Sequence, residues 1–279
     1  MSILSEDDYF DYSPEEEDRK KYNRDEYWIG AQKSLCSLFN KDTKEVFYMK
    51  QLQVKFEKEY FHWVTRNAVV GLLKSGYLQQ INLSISASGN TLHLHFFAHR
   101  SNRYPKRPAN SVAKVVQEYS QDHIMTSCGN RAEILFAEAL AGRGFTIDGK
   151  KVIEYNGKKW TKTKNDLDYI FKKDNIAYGC EIKNKLEYID KKELEIKLKM
   201  CEYFNIRPFF IMRFSPKTYN KLIADAGGYA LLFVAQIYDL SQKALVEKIR
   251  DVLGYEVDCP RAIPSGIIDR FEKWHNLHK

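Results

Sequence analysis

The chain has 279 residues, of which 44% are hydrophobic and 29% are charged, so it can build packed cores and has room for two domains. It contains no run of about eighteen apolar residues and no signal-peptide pattern, and its five cysteines are dispersed without a C-x-x-C pair. These features argue against a membrane protein, a disulfide framework and a zinc ribbon. We therefore expect a cytoplasmic protein that does not contact a membrane.

The net charge of +7 is unevenly distributed along the chain. Residues 1–26 carry ten acidic and four basic side chains, so the remainder carries a net charge of +13. The acidic segment has few branched apolar residues, and we expect it to be a flexible tail. The strongly basic remainder of the chain favours a polyanionic partner, of which nucleic acid is the commonest. The alternative is a lysine-rich surface that only contacts solvent.

The region after the tail predicts helices followed by a hairpin. Helical periodicity covers residues 27–39, 44–60 and 62–74. Two extended segments, residues 78–86 and 91–99, then flank an Ala-Ser-Gly-Asn turn signal. In the second extended segment His93 and His95 alternate, which places them on one face of a strand. A metal role for this pair, with His99 as the nearest third candidate, is weaker than an ordinary role on the strand surface.

Three helices followed by a two-stranded hairpin resemble a winged helix domain in element order. The resemblance implies a small α+β DNA-binding domain over residues 27–110, with the helix at 62–74 in the major groove and Thr65, Arg66 and Asn67 near its start. Protein contacts are the alternative role of such a domain. Residues 100–114 hold five basic side chains, two prolines and no acid, which predicts an extended linker. We expect phosphate contacts from four basic residues: Arg66, Lys74, Arg100 and Arg103.

Residues 119–279 predict an α/β domain with one mixed sheet. A helix over residues 130–145 precedes three extended segments. A helix, a strand, a helix, a strand and a last helix follow. The predicted segments after the first helix cover residues 145–155, 165–171, 176–183, 190–206, 207–214, 215–226, 229–237 and 241–253.

The segment NDLDYIFKKDNIAYGCEIKNK carries the candidate chemistry. A two-residue turn at Asp174 and Asn175 pairs residues whose numbers sum to 349, which places Asp168 directly opposite Glu181. The strand period of two puts Lys183 on the same face as Glu181. Two adjacent carboxylates repel unless a cation lies between them, and Mg²⁺ prefers such oxygen ligands. An ordinary solvated face with a stabilising lysine is the alternative.

The order helix, strand, hairpin with D…E-x-K, helix, strand resembles the PD-(D/E)xK nuclease superfamily, which has a restriction endonuclease-like fold. The resemblance covers about residues 128–236. It implies that Asp168, Glu181 and the main-chain carbonyl of Ile182 hold Mg²⁺, for which Mn²⁺ substitutes, and that Lys183 is the catalytic lysine. Leu167 stands where the family often has proline, and Asp166 is the competing choice for the first acid.

The same resemblance offers Glu133 as a further catalytic acid on the preceding helix. The alternative is structural, because Asn130 and Glu133 have the spacing of a capping box. We expect Glu138 on the surface, and Lys185, Lys191 and Lys192 facing either DNA or solvent. The implied function is a Mg²⁺-dependent DNA endonuclease in restriction, defence or DNA processing, with homodimerisation left open. A catalytically inactive nuclease-like DNA-binding or assembly subunit is the runner-up, and an RNA nuclease is a third interpretation.

Overall fold

A computed structural model describes residues 24–279, with side chains from residue 26 onward. The acidic tail predicted over residues 1–26 lies outside the described residues except for its last three, where the first helix begins. Contacts divide the chain into two compact units. The first unit runs to Met125 and includes Glu247–Tyr255, and the second comprises Thr126–Val246 and Glu256–Lys279. Both contain helices and strands, so the chain belongs to the α/β class.

The first unit combines a three-stranded antiparallel sheet, in the order β1-β3-β2, with four helices and residues 247–253 of a later helix. Strands β2 and β3 form the predicted hairpin, and its turn residues Ser88 and Gly89 have φ values of 50° and 81°. A buried cluster joins α1, α2, α3 and the base of the hairpin. The elements are α1 (Arg24–Lys41), β1 (Val46–Tyr48), α2 (Met49–Phe56), α3 (His62–Lys74), β2 (Leu78–Ala87), β3 (Asn90–His99) and α4 (Lys106–Tyr119).

The structure corrects two predicted elements of this unit. The helix predicted over residues 44–60 begins only at Met49, because the preceding Val-Phe-Tyr triplet pairs with β3 as a buried strand. The extended linker predicted over residues 100–114 is also wrong, since its second half belongs to α4. Pro105 precedes the first helical residue and Pro108 lies in the first turn, where backbone amides have no intrahelical acceptor and proline is tolerated.

The second unit is built on a mixed five-stranded sheet in the order β10-β9-β8-β7-β4. Strand β7 is antiparallel to both of its neighbours, β4 and β8, whereas β8, β9 and β10 run parallel. Helix α5 (Asp122–Ala141) leads into this unit. The later elements of the chain are β4 (Thr146–Val152), β5 (Glu154–Tyr155), β6 (Lys158–Lys159), β7 (Leu167–Lys173), β8 (Ile176–Lys183), α6 (Lys191–Phe204), β9 (Arg207–Met212), α7 (Lys217–Asp225), β10 (Tyr229–Leu232), β11 (Gln236–Ile237), α8 (Lys243–Leu253), β12 (Val257–Asp258) and α9 (Ser265–His278). Of α8, only residues 243–246 belong to the second unit.

Helices cover both faces of this sheet. One buried cluster joins Phe136 of α5 and Phe271 of α9 to the strands, and another joins Met200 and Phe204 of α6 to Ile170. The crossover from β8 through α6 to β9 returns the chain parallel to itself, as βαβ units do. The start of β7 and the end of β8 therefore lie between α5 and α6. Among the described residues, no helix combines the length and the apolar character that a membrane crossing requires.

Candidate active site

The β7–β8 hairpin has the predicted register. Tyr169 pairs with Cys180 and Lys173 with Ile176, so the paired residue numbers sum to 349 as expected. The two turn residues, Asp174 and Asn175, have φ values of 51° and 61°, a conformation that these residue types tolerate well. If the same register is continued by one residue beyond the pair Tyr169 and Cys180, Asp168 lies opposite Glu181.

Asp168 is held against the neighbouring strand by a main-chain hydrogen bond. The amide of Ile182 donates to Asp168 Oδ2 over 2.7 Å. Because the N–H and C=O of one strand residue point to the same side, the Ile182 carbonyl oxygen also faces β7. Burial raises the pKa of Asp168, and the Ile182 hydrogen bond and the ammonium groups of Lys183 and Lys197 only partly oppose this rise.

Glu181 is fully buried and lies between two ammonium groups. Its Oε1 is 2.6 Å from Lys183 Nζ, and its Oε2 is 2.6 Å from Lys197 Nζ. Burial raises the pKa of Glu181, the nearby Asp168 carboxylate adds to the rise, and the two lysines oppose it. A carboxylate in this position is tolerated only because both of its oxygens contact a positive charge.

Lys183 bridges two carboxylates, because its ammonium also lies 2.8 Å from Glu193 Oε1. Burial alone would lower the pKa of Lys183, but Glu181 and Glu193 outweigh burial and hold that pKa above its ordinary value. Burial would likewise raise the pKa of Glu193, but the Lys183 ammonium outweighs burial and the pKa lies below its usual range. Lys183 is therefore a permanently charged group at the end of β8.

Lys197 is a residue of the site that the sequence interpretation missed. It lies one helical turn after Glu193 on α6 and is 3% exposed. Besides Glu181, its ammonium contacts the main-chain oxygen of Asp166. A signal for it exists in the sequence, because the buried positions of α6 recur at helical spacing and a lysine stands among them. These buried positions are Leu194, Lys197, Met200, Cys201 and Phe204.

The two aspartates that compete for the first acid differ in environment. Asp168 accepts the Ile182 amide and stands beside Glu181, whereas the Asp166 side chain precedes β7 and is 40% exposed. The Asp166 carboxylate lies 3.8 Å from Lys197 Nζ, at the edge of the same group of charges. Asp168 is thus the aspartate that the hairpin brings to Glu181.

Glu133 faces the same site from α5. The helix begins at Asp122, eight residues before Asn130, so Asn130 lies in its interior and the capping-box interpretation of Glu133 is wrong. Burial raises the pKa of Glu133, Lys151 opposes the rise, and the Glu181 carboxylate adds to it. The predicted helix start at residue 130 was two turns late. Glu138 is exposed, as expected.

The donor set of the hairpin suits a hard divalent cation. Among the described residues, no group of three or more His, Cys, Asp or Glu side chains is arranged to hold a metal ion. Asp168, Glu181 and the carbonyl of Ile182 supply two carboxylates and a main-chain oxygen, and Mg²⁺ binds through one or two carboxylates together with water and substrate phosphate. The carboxylates nearby outnumber the ammonium groups by one when all are ionised. The carboxylates are Glu133, Asp166, Asp168, Glu181 and Glu193, and the ammonium groups are Lys151, Lys183, Lys185 and Lys197.

The histidines of β3 belong to the first unit, whereas these carboxylates belong to the second. His93 is hydrogen-bonded to Ser84 and His95 to Asn82 across the hairpin, at 3.0 and 2.9 Å. His99 is instead hydrogen-bonded to Ser101 at 2.7 Å.

The predicted DNA-contacting residues lie on α3 and after β3. Thr65 is 1% exposed, so its expected place at a groove-facing surface is wrong, because it lies on the face of α3 that packs into the core. Arg66 is half-buried, and burial lowers its pKa. The other polar candidates are exposed: Asn67, Lys74, Arg100 and Arg103.

Comparison with known proteins identifies no relative. No family model, no curated protein and no solved structure matches the chain. Any functional assignment therefore depends on the geometry and chemistry of the site itself.

The ion pairs around Glu181 predict a strong stability effect. Lys197→Met should destabilise the protein by about 3 kcal/mol, because it leaves a buried carboxylate with one ammonium fewer. The double variant Lys197→Met/Glu181→Gln should recover most of that loss, since the buried carboxylate that lost one of its two ammonium partners is gone. The measurement is the shift of the urea unfolding midpoint for each variant.

Lys199→Met is the matched control, because Lys199 is exposed on the same helix and should change stability by no more than about 0.5 kcal/mol. An equal effect of Lys197→Met and Lys199→Met would contradict the importance of the buried pair.

Proposed function

We propose that the chain is a metal-dependent DNA endonuclease that hydrolyses phosphodiester bonds. The observation that carries the proposal is the register of the β7–β8 hairpin, which sets the Asp168 carboxylate beside Glu181 and gives Glu181 an ion pair with Lys183. Paired carboxylates next to a charged lysine are the groups that metal-assisted attack on a phosphodiester requires.

The topology of the second unit supports membership of the restriction endonuclease-like superfamily. Helix α5, the antiparallel strands β4, β7 and β8, helix α6 and the parallel strand β9 follow one another in the order that the resemblance implies. The small two-stranded sheet β5–β6 is an insertion in that order. It lies between β4 and β7 in the chain.

Each residue of the site has a distinct role in the proposed reaction. Asp168, Glu181 and the carbonyl of Ile182 would hold Mg²⁺, which when bound supplies a Lewis acid and a more acidic water. Lys183, held charged by Glu181 and Glu193, orients the attacking water or neutralises the phosphoryl oxygens. Lys197 keeps Glu181 ionised, and Glu133, whose pKa is raised, adds a carboxyl group that can accept a proton.

A catalytically inactive nuclease-like DNA-binding subunit is the second candidate. The observation in its favour is that Lys183 and Lys197 engage both oxygens of Glu181, so that this carboxylate is neutralised by the protein itself. Titration of the protein with Mg²⁺ and Mn²⁺ by calorimetry separates the candidates. Binding of either ion that disappears in Glu181→Gln supports the nuclease.

The first unit supplies DNA affinity under this proposal. Its order of helix, strand, two helices and two strands, with β1 paired to β3, supports a winged helix-like domain. Helix α3 would then approach the duplex with its exposed residues Asn67 and Lys74 and the half-buried Arg66. Arg100 and Arg103 follow the hairpin and would contact phosphate.

Substitution of the three central residues should separate cleavage from binding. Asp168→Ala, Glu181→Gln and Lys183→Met should each slow Mg²⁺-dependent cleavage of plasmid DNA by about 100-fold or more, because these groups act on the transition state. Duplex DNA binding without metal should remain within about threefold of wild type, because phosphate contacts elsewhere supply the affinity. Asp166→Asn is the matched control and should retain most cleavage. Absence of cleavage by the wild-type protein with either Mg²⁺ or Mn²⁺ would sink the enzyme assignment.

The raised carboxyl pKa values predict a pH-dependent metal effect. Between the ordinary carboxyl pKa near 4 and their raised values, the folded protein binds protons that the unfolded chain has released, so metal-free stability falls as pH rises. A divalent cation requires the deprotonated carboxylates. The gain in melting temperature on adding Mg²⁺ should therefore be larger near pH 8 than near pH 5.5.

In Glu181→Gln, the same scans should show a small Mg²⁺ effect at both values of pH. A Mg²⁺ effect that is equally large in this variant would place the ion elsewhere.

The docking of the first unit predicts a change in salt dependence. Arg66→Ala/Lys74→Ala should weaken duplex binding. The negative slope of log affinity against log salt should also become shallower, by roughly 0.9 for each phosphate that the variant no longer neutralises. Fluorescence anisotropy with a labelled duplex gives both quantities. Lys33→Ala/Lys41→Ala on α1 removes the same charge and should leave the slope unchanged. An unchanged slope in both double variants would assign this unit to a protein partner.

A further inference from the structure

A lysine-rich segment begins within β4 and ends shortly before β7. Residues 148–164, termed the lysine hairpin, contain six lysines and two acids. All six lysines are exposed, and within the described part of the chain none lies within ion-pair distance of a carboxylate. One of the two acids, Asp148, accepts a hydrogen bond from the Tyr155 hydroxyl over 2.7 Å. The lysines are Lys150, Lys151, Lys158, Lys159, Lys162 and Lys164.

The lysine hairpin is fixed to α6 by aromatic packing. Trp160 is 5% exposed, its amide donates to the Ile153 carbonyl over 2.7 Å, and its ring packs edge-on against Tyr203 at 5.7 Å between centroids. Tyr155 packs against Phe204 in the same way, at 6.4 Å. The lysines are therefore presented by an ordered element, which loses less conformational entropy on binding than a mobile tail does.

Three of these lysines are also positioned by aromatic rings. The ammonium of Lys150 lies 5.5 Å from the centroid of Tyr169. The ammonium of Lys158 lies 5.7 Å from the centroid of Tyr203, and that of Lys162 lies 5.6 Å from the centroid of Trp160. Such contacts restrain the side chain while the exposed ammonium keeps free donors for an anion. The spacing of the positive charges is thus set by the fold.

The lysine hairpin begins at the candidate active site. Strand β4 pairs Lys150 with Tyr169 and Val152 with Leu167, so the intervening Lys151 stands opposite Asp168. Lys151 is also the foremost positive charge acting on the Glu133 carboxyl. The surface of exposed lysines therefore extends from the site outward along one continuous segment of chain.

We infer that the lysine hairpin is the surface on which the phosphodiester backbone of duplex DNA lies as it enters the site. This inference rests on the proposed nuclease function and adds a contact surface to it. Lysines on an edge strand also prevent sheet extension, which would explain Lys150 and Lys151 on β4. That role does not explain Lys162 and Lys164, which lie outside any strand. Exposed ammonium groups without a carboxylate partner, beside a phosphodiester-cleaving site, fit phosphate oxygens.

The test is the salt dependence of duplex binding by the full chain in EDTA. Lys159→Gln/Lys164→Gln removes two lysines that make no aromatic contact. The negative slope of log affinity against log salt should become shallower by roughly 1.8, since each neutralised phosphate contributes about 0.9. Lys172→Gln/Lys273→Gln removes two exposed lysines from elsewhere in the same unit and should leave the slope unchanged. Lys159→Arg/Lys164→Arg should keep the wild-type slope because the charges remain.

The outcomes separate this inference from the proposed function. A shallower salt dependence in Lys159→Gln/Lys164→Gln alone, with unchanged melting temperature, supports the lysine hairpin as a DNA-binding surface, whether or not the protein cleaves DNA. An unchanged slope, an equal change in the control pair, or no duplex binding by wild type overturns it. If the wild-type protein does not cleave DNA but the Lys159→Gln/Lys164→Gln variant shows the shallower salt dependence, only the nuclease proposal is overturned.

Discussion

The arrangement of the second unit depends on the burial of Glu181 between two lysines. A fully buried carboxylate costs several kcal/mol unless it is paired, and here each oxygen lies 2.6 Å from an ammonium nitrogen. One ammonium comes from the same strand and the other from α6, so the ion pairs tie the end of β8 to the helix that follows it. Lys183 in turn holds Glu193. Removing Lys183 or Lys197 leaves the buried Glu181 carboxylate with only one of its two ammonium partners.

The part of the site that is local in sequence could be predicted. The turn at Asp174 and Asn175 specifies a two-residue hairpin, and a two-residue hairpin has one register, so the adjacency of Asp168 and Glu181 follows from counting residues. The position of Lys183 follows from the period of the strand. The same reasoning located β2 and β3 correctly, because their turn also carries a residue pair that accepts positive φ.

The remainder could not be predicted because tertiary packing decides it. Lys197 occupies a position on the buried face of α6. A lysine at this position is explained by its contact with Glu181 on β8, which the sequence does not reveal. Helix α4 was missed because Pro105 and Pro108 signal a break, whereas both prolines fit the start of a helix that buries Val112 and Val116. The predicted start of α5 was likewise two turns too far along the chain, and only with that start was a capping box at Asn130 an alternative to the catalytic role expected of Glu133.

The proposed site also poses an electrostatic problem that its surroundings address. A group of carboxylates with a net negative charge repels DNA, whose backbone must approach those same groups for hydrolysis. Lys183 and Lys197 neutralise the interior of the group, but Lys197 is buried and the partly buried Lys183 is engaged by two carboxylates, so the pair is poorly placed to attract a polyanion. The exposed lysines of the lysine hairpin carry the opposite sign, and the register of β4 with β7 places Lys151 opposite Asp168. An acidic centre with a basic border is therefore what a site that binds both a divalent cation and a phosphodiester requires.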